Sequence, residues 1–230
     1  MRHFLLLFCL LLASPCFAGW NPYVVGSGVV ASSGPPVGVT YWWTANSADD
    51  TKDYGDAPTI TGTVDYVTGQ VGNAMRTNTF SEYVGLPNGT LSGTSGKVGF
   101  WFRGDTSISD NTNILYGNSN FYIVVASSGR IAFLYSGSYQ YSANSTIVAD
   151  TWYWIEAKWD ITGGNLNSTL YVNNTSVATV STAKAAIDLS AVSVKIGHYD
   201  QANTNYLYID NVIVGGYTTD IYSYRNTDGI

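Results

Sequence analysis

This 230-residue chain has little charge, two histidines and almost no cysteine, and each shortage removes a class of protein. Charged residues make up 11% of it, against about 25% in typical soluble domains. Its surface must therefore be built mainly from Ser, Thr, Asn, Gly and Tyr. The formal net charge is −6, and nucleic acid or anionic membrane is a poor partner for such a surface. The histidines are His3 and His198, which excludes a multi-histidine metal centre. Both cysteines, Cys9 and Cys16, fall within the first sixteen residues, so the rest of the chain has neither thiol nor disulfide. No long segment shows helical periodicity. Phosphate-loop and dinucleotide fingerprints are absent, and so is a Gly-x-Ser-x-Gly elbow.

The start reads as a secretory leader over residues 1–18. Arg2 and His3 form a short basic start, Phe4 to Ala13 is apolar, and Cys16-Phe17-Ala18 places small residues where a signal peptidase cuts. The apolar run is too short for a stable membrane anchor. Pro15 before Cys16 is wrong for lipid attachment, so the expectation is export to the extracellular space or periplasm, with no membrane insertion after cleavage. About 210 residues without a disulfide then need a large core, a bound metal or assembly to be stable. Residues 19–40 are Gly/Ser/Pro-rich and read as a linker or an edge strand. Residues 41–216 read as one domain and 217–230 as a polar, Tyr-rich tail.

What the chain does have is a series of short aromatic and β-branched segments. These are Val98 to Phe102, Trp152 to Asp160, Thr169 to Asn173, Val192 to Gly197 and Tyr206 to Val214, each bounded by Gly, Asn, Ser or Asp. The pattern predicts an all-β fold of two packed antiparallel sheets, a jelly-roll sandwich. Alternation assigns Tyr153, Ile155, Ala157 and Trp159 to the core face, with Trp154, Glu156 and Lys158 on the other. Leu170, Val172, Val192, Val194 and Ile196 also point inward. An ion pair between Glu156 and Lys158 along their shared face is expected.

The order of Gly69-Gln70-Val71-Gly72-Asn73-Ala74, Tyr83-Val84, Phe100-Trp101-Phe102-Arg103, Trp152, Leu170-Tyr171-Val172-Asn173, Ile196-Gly197 and Ile209-Asp210-Asn211-Val212 resembles the LamG-like jelly roll of the concanavalin A-like lectin/glucanase superfamily. The resemblance covers roughly Tyr41 to Gly216. It implies a fold and not a function, since such folds carry many unrelated sites. One departure is Asn174, which stands where LamG-like chains usually have Gly after this Leu-Tyr-Val-Asn strand. Asn tolerates left-handed geometry, so the hairpin should survive.

Glycosidases of this superfamily pair two carboxylates about 5–5.5 Å apart when retaining, usually on a Glu-x-Asp-x-x-Glu strand that is missing here. The glutamates are Glu82 and Glu156 alone. Lys195 to Gln201 matches a lyase string loosely, without that family's other two strands. No catalytic residues are therefore assigned. Calcium is the metal expected, as a structural ion. The resemblance places one ligand at Asp210, with Asp50 and Asp53 of the acidic loop as partners. The other account is a solvated acidic turn with Asp210 capping a bulge.

Eighteen tyrosines and seven tryptophans exceed the needs of one core. Aromatic faces stack on sugar rings while amides and hydroxyls bond to their hydroxyls, which makes Tyr135, Tyr139, Tyr141, Trp154, Asn205 and Tyr206 candidate carbohydrate contacts. Cross-strand tyrosine ladders are the structural account of the same residues. The reading is a secreted, non-catalytic binding module for carbohydrate or a cell-surface component. The alternatives are a self-assembling protein of a surface, filament or virion, in which residues 21–39 add a strand to a neighbouring copy, and third a glycan-degrading enzyme.

Overall fold

Segments rich in Val, Ile, Phe, Trp and Tyr, punctuated by Gly and Asn, form strands because branched and aromatic side chains pack well on a pleated surface. The computed structural model describes residues 36–47, 53–79, 81–105, 112–126, 128–198 and 205–227. In chain order the strands are β1 (Val39–Trp43), β2 (Thr59–Thr61), β3 (Asp65–Thr68), β4 (Asn73–Thr77), β5 (Glu82–Gly85), β6 (Ser95–Gly104), β7 (Thr112–Asn118) and β8 (Phe121–Val125). They continue with β9 (Ile131–Tyr135), β10 (Ser138–Tyr141), β11 (Tyr153–Thr162), β12 (Asn165–Val172), β13 (Thr175–Ala183), β14 (Lys195–His198) and β15 (Leu207–Gly215). A single 3₁₀ turn, Tyr222–Tyr224, follows them.

The strands make two antiparallel sheets. The first runs β13-β12-β11-β6-β15-β4-β3, with β1 also paired to β15, and the second runs β10-β9-β8-β7-β14-β5-β2. This is the expected all-β jelly-roll sandwich. Between the sheets lies a cluster that includes Trp43, Phe100, Phe102, Phe121, Phe133, Tyr135, Ile155 and Trp159. Phe121 meets Trp159 edge-on at 5.0 Å and Phe133 at 5.3 Å, the arrangement the ring quadrupoles favour. Each such buried ring contributes roughly 1.5–3 kcal/mol, a source of stability that needs no disulfide.

The face assignments hold: Ile155, Ala157, Trp159, Leu170, Val172, Val194 and Ile196 are core, with Tyr153 and Val192 packed at its edge. Asn173 and Asn174 have φ of 48° and 64°, a two-residue turn closing β12 onto β13. The expected Glu156–Lys158 pair is not formed. Glu156 pairs instead with Lys97 on neighbouring β6, at 3.3 Å; Gly99 lies directly opposite Glu156 and Lys97 is its diagonal neighbour, within reach of a long side chain. Lys158 lies over the rings of Tyr171 and Tyr217.

The strand at the centre of the first sheet is irregular in one place. β15 has a bulge between Asp210 and Ile213, with Asn211 at φ 52°. One extra residue puts both Asp210 and Asn211 on the outer face while Ile209 and Val212 stay in the core. The Asn211 amide donates to the carbonyls of Arg225 (2.7 Å) and Thr227 (2.9 Å), and its oxygen accepts the Trp42 indole N–H. These bonds hold Tyr217–Thr227, which looked like a tail in sequence, across the outer face. Beneath it are Trp42, Trp101, Trp154 and Ile213, against which the segment packs its own Ile221. Gly99 allows the closest approach, since a Cβ there would lie 2.4 Å from the Trp154 ring.

Asn211→Ala should remove the hydrogen bonds to Trp42, Arg225 and Thr227 and strain a left-handed residue, at a cost of about 3 kcal/mol. Denaturant melts should show that loss, with enhanced proteolysis after residue 216; an unchanged midpoint would show that the segment is held by its apolar contacts alone. A second expectation concerns pH. Burial raises the Tyr41 and Tyr135 phenols above their ordinary value, and burial with nearby Asp53 pushes Tyr66 up to about 12. A raised folded value favours the neutral phenol, so this stability is complete below the unfolded value of about 10 and declines as pH rises beyond it. Melts from pH 8 upward should be flat and then fall; stability that rises above pH 10 would contradict the burial.

Candidate ligand-binding surface

The outer face of the second sheet carries the exposed aromatic surface. β8 alternates Phe121, Ile123 and Val125 into the core with Tyr122 and Val124 outward. In β9, Leu134 and Ala132 occupy the outward positions and pair with Tyr122 and Val124. On the other side of β9 they pair with Tyr139 and Tyr141 of β10. Because Leu134 and Ala132 are short, phenols from β8 and β10 meet above them. The Tyr122 and Tyr139 hydroxyls share a hydrogen bond, and burial followed by that bond raises the Tyr122 phenol above its ordinary value.

The rings continue along the sheet. Tyr139 and Tyr141 stack at 5.2 Å with 7° between their planes. Tyr122 stacks on Tyr116 of β7 at 6.2 Å. Arg130 lies 4.3 Å above Tyr141 at one end, and Lys195 of β14 lies 5.3 Å from the Tyr83 ring of β5 at the other. With strands about 4.8 Å apart, a row from β10 to β5 extends about 24 Å. Tyr139 and Tyr141 are its most open members, at 45% and 44% exposure.

The residues expected to bind from sequence divide into three groups. Tyr139 and Tyr141 stand on this surface. Tyr135 does not: it is fully buried, its hydroxyl donating to the Gly93 carbonyl and accepting from the Ile187 N–H at 3.2 Å. The two-residue turn Ser136–Gly137 gives Tyr135 the opposite face parity from Tyr139. Trp154 does point away from the core, as its alternation required, yet it is 0% exposed. Trp101 packs edge-on against it at 5.8 Å and Tyr222 covers it at 6.5 Å. Neither ring offers a face to solvent, so neither belongs to a surface site. Asn205 and Tyr206 precede β15 in the first sheet, where Arg76 lies 4.6 Å over the Tyr206 ring, and they do not join Tyr139 and Tyr141. Sequence reasoning missed Tyr122, Tyr116, Tyr83, Arg130 and Lys195. The alternation of Phe121 to Val125 would have found Tyr122; the rest needed the strand order.

Asp53 accepts from the Thr44 N–H at 2.7 Å and the Thr44 hydroxyl at 2.9 Å. Asp210 is buried and accepts from the Val71 N–H at 2.7 Å, with Gly69 so close that a Cβ there would lie 2.6 Å from its oxygen. Asp210 thus joins the Gly69–Gly72 turn to the bulge. Asp50 lies outside the described residues. Among the described residues no group of three or more His, Cys, Asp or Glu side chains converges.

Glu156 and Glu82 are on different sheets, in β11 and β5. Glu156 is held by Lys97, while Glu82 accepts from the Asn78 N–H at 2.8 Å and the Thr79 N–H at 3.2 Å. They do not form a carboxylate pair across a cleft. His198 ends β14 opposite Glu82, and residues 199–201 of the lyase-like string lie outside the described residues.

No family model matches the chain, and no curated protein matches it in sequence. Solved structures do. Domain 4 of AbnA, an extracellular arabinanase of glycoside hydrolase family 43 from Geobacillus stearothermophilus, solved with arabinotriose, superposes with a TM-score of 0.57 at 18% identity, over 79% of this chain and 94% of that domain. The binding domain of Paraclostridial Mosquitocidal Protein 1 gives 0.61 at 12% identity, over 82% of this chain and 51% of that one. A Trypanosoma rangeli sialidase bound to the inhibitor DANA gives 0.63 at 11% identity, over 84% of this chain and 33% of the sialidase. The chain therefore spans about half and a third of the latter two. At these identities the likeness establishes the architecture alone, a two-sheet antiparallel β-sandwich.

Proposed function

We propose that this chain is a secreted carbohydrate-binding module without catalysis, and that the tyrosine row on the outer face of the second sheet is its ligand face. The observation that carries the reading is the exposed, parallel Tyr139–Tyr141 pair joined through Tyr122 to Tyr116. It offers apolar ring surface with hydroxyls that donate and accept, on a protein with little charge to attract an ionic partner. A neutral, extended saccharide matches that chemistry. The arabinanase domain solved with arabinotriose, similar over nearly its whole length, supports a saccharide over other surface components. The separation of Glu82 from Glu156 supports binding without hydrolysis.

Titration calorimetry with neutral oligosaccharides, arabinotriose among them, tests this. Tyr139→Ala and Tyr141→Ala should each weaken binding roughly tenfold, about 1.4 kcal/mol, with little change in melting temperature. Trp154→Ala should do the opposite, lowering stability by about 3–5 kcal/mol and leaving the affinity of the folded protein intact. Undiminished binding in the Tyr139→Ala/Tyr141→Ala double variant would move the site elsewhere, and release of shortened saccharide would make the protein an enzyme.

The calcium ion implied by the resemblance is assigned to stability rather than ligand contact. Asp210 sits on the outer face of the first sheet, and Asp53 binds Thr44 directly after β1 of that sheet. Asp210 is thus across the sandwich from the tyrosine row, and Asp53 lies at the end of β1, near Tyr41 and Tyr66. Their carboxylate oxygens are suitable hard donors, with Asp50 as the third. Chelation should then lower the melting temperature by several degrees without changing saccharide affinity. A melt indifferent to chelator would remove the ion from the account.

A further inference from the structure

The two sheets have five outer edges, since β1 attaches to β15 outside the main strand order, and four are short or charged. β1 has five residues and is bridged on its far side through Trp42 to Tyr54. β2 has three residues, β10 has four, and β3 has four with Asp65 paired to Arg76 at 2.6 Å. Short and charged edges are how sheets avoid pairing with other chains. β13 is the exception. It is nine residues long, Thr-Ser-Val-Ala-Thr-Val-Ser-Thr-Ala, with no charge and no proline. Among the described residues, no strand pairs with its outer edge. Val177, Ala178 and Val180 pack toward the core, while Thr179, Ser181 and Ala183 are exposed. The strand is anchored on one side and presents a plain hydroxyl-lined edge on the other.

We infer that β13 is an interface for a second copy of this chain, which pairs antiparallel with it about a two-fold axis. In such a contact each residue meets a near equivalent of itself, so any charge on the strand would oppose its like. β13 has none, and its Ser, Thr, Ala and Val side chains are self-complementary. The register follows from the strand itself. The β12–β13 ladder is irregular between Leu170 and Tyr171, which leaves the regular part of β13 from Ala178 onward. A two-fold keeps each side chain on its own face, so the pairing must centre on a residue. Centring on Val180 makes Thr179 of one copy oppose Ser181 of the other.

The pairing has a consequence for the tyrosine surface, and this part rests on the function proposed above. A two-fold relating antiparallel strands stands normal to their sheet. The second sheets of both copies therefore lie on the same side of the joined first sheets. The Gln140 amide of β10 bonds Ser168 of β12, so β10, with Tyr139 and Tyr141, lies at the same edge of the sandwich as β13. The dimer presents two tyrosine faces in one direction, which suits a polymeric saccharide bound at two points.

Light scattering of the purified chain from about 1 to 200 µM tests the contact by mass action without any ligand, so its failure leaves the tyrosine reading standing. The mass should rise toward two protomers. Thr179→Lys with Ser181→Lys, both at exposed positions, sets lysines against each other across the axis and should raise the dissociation constant at least roughly tenfold. Thr179→Val with Ser181→Val should leave the dimer intact, and the circular dichroism melt checks that each variant is folded. A single-protomer mass at every concentration would overturn the inference. So would a dimer that tolerates the lysines but dissociates when residues 21–35 are deleted, which would assign the contact to exchange of that segment.

Discussion

One extra residue in β15 sets much of the rest of this molecule. A regular strand would send Asp210 and Asn211 to opposite faces and bury one polar side chain between the sheets. The bulge turns both outward, and each then does separate work. Asp210 fixes the Gly69–Gly72 turn through the Val71 N–H. Asn211 takes the Trp42 indole on its oxygen and donates from its nitrogen to the carbonyls of Arg225 and Thr227. The bulge also lies where β15 changes neighbours, from β4 along Leu207–Ile209 to β1 along Val212–Gly215. A left-handed φ at a non-glycine residue is uncommon, and Asn is among the residues that adopt it most readily. The same side chain that permits the conformation supplies the bonds that make it useful.

Much of the architecture was legible because strands have a period of two. Phe100-Trp101-Phe102 and Trp152 to Asp160 sort into faces by counting, and the counts agree with the packing. Two kinds of information were not available by counting. Trp154 was assigned to the correct face but its cover was invisible, because Tyr217–Thr227 has no periodicity and is held mainly through its carbonyls, which every residue possesses. Tyr135 failed for another reason. It sits four residues from Tyr139 but across a two-residue turn, and only after that turn is placed does parity put one in the core and the other in solvent. The pairing of Glu156 with Lys97 likewise depends on strand order, which no local pattern encodes.

The low charge has a structural counterpart in how the ions are used. Lys97 is nearly buried, with Glu156 at 3.3 Å and the Thr219 carbonyl at 2.6 Å. Arg103 rests between the rings of Tyr208, at 3.9 Å, and Trp152, at 5.3 Å. Arg130, Lys158 and Lys195 also lie over tyrosine rings. Cations against ring faces lose part of their reach toward anions and gain rigidity. What remains for a partner to meet is mainly ring, hydroxyl and amide.

The two outer faces of the sandwich show why tryptophan and tyrosine are used differently. On the first sheet the indoles are roofed by the chain's own C-terminal segment, and two of their N–H groups are taken by Arg225 and Asn211. An indole has one donor and no acceptor, so a single internal partner satisfies it and the ring can be sealed. A phenol both donates and accepts, and one internal bond leaves capacity over. On the second sheet Tyr122 and Tyr139 spend one bond on each other, and the row keeps further hydroxyl capacity at a surface that nothing among the described residues roofs. A face meant only to be stable gains by being closed with tryptophan. An open face that keeps hydrogen-bonding capacity beside apolar rings retains the two things a saccharide requires of its binding site.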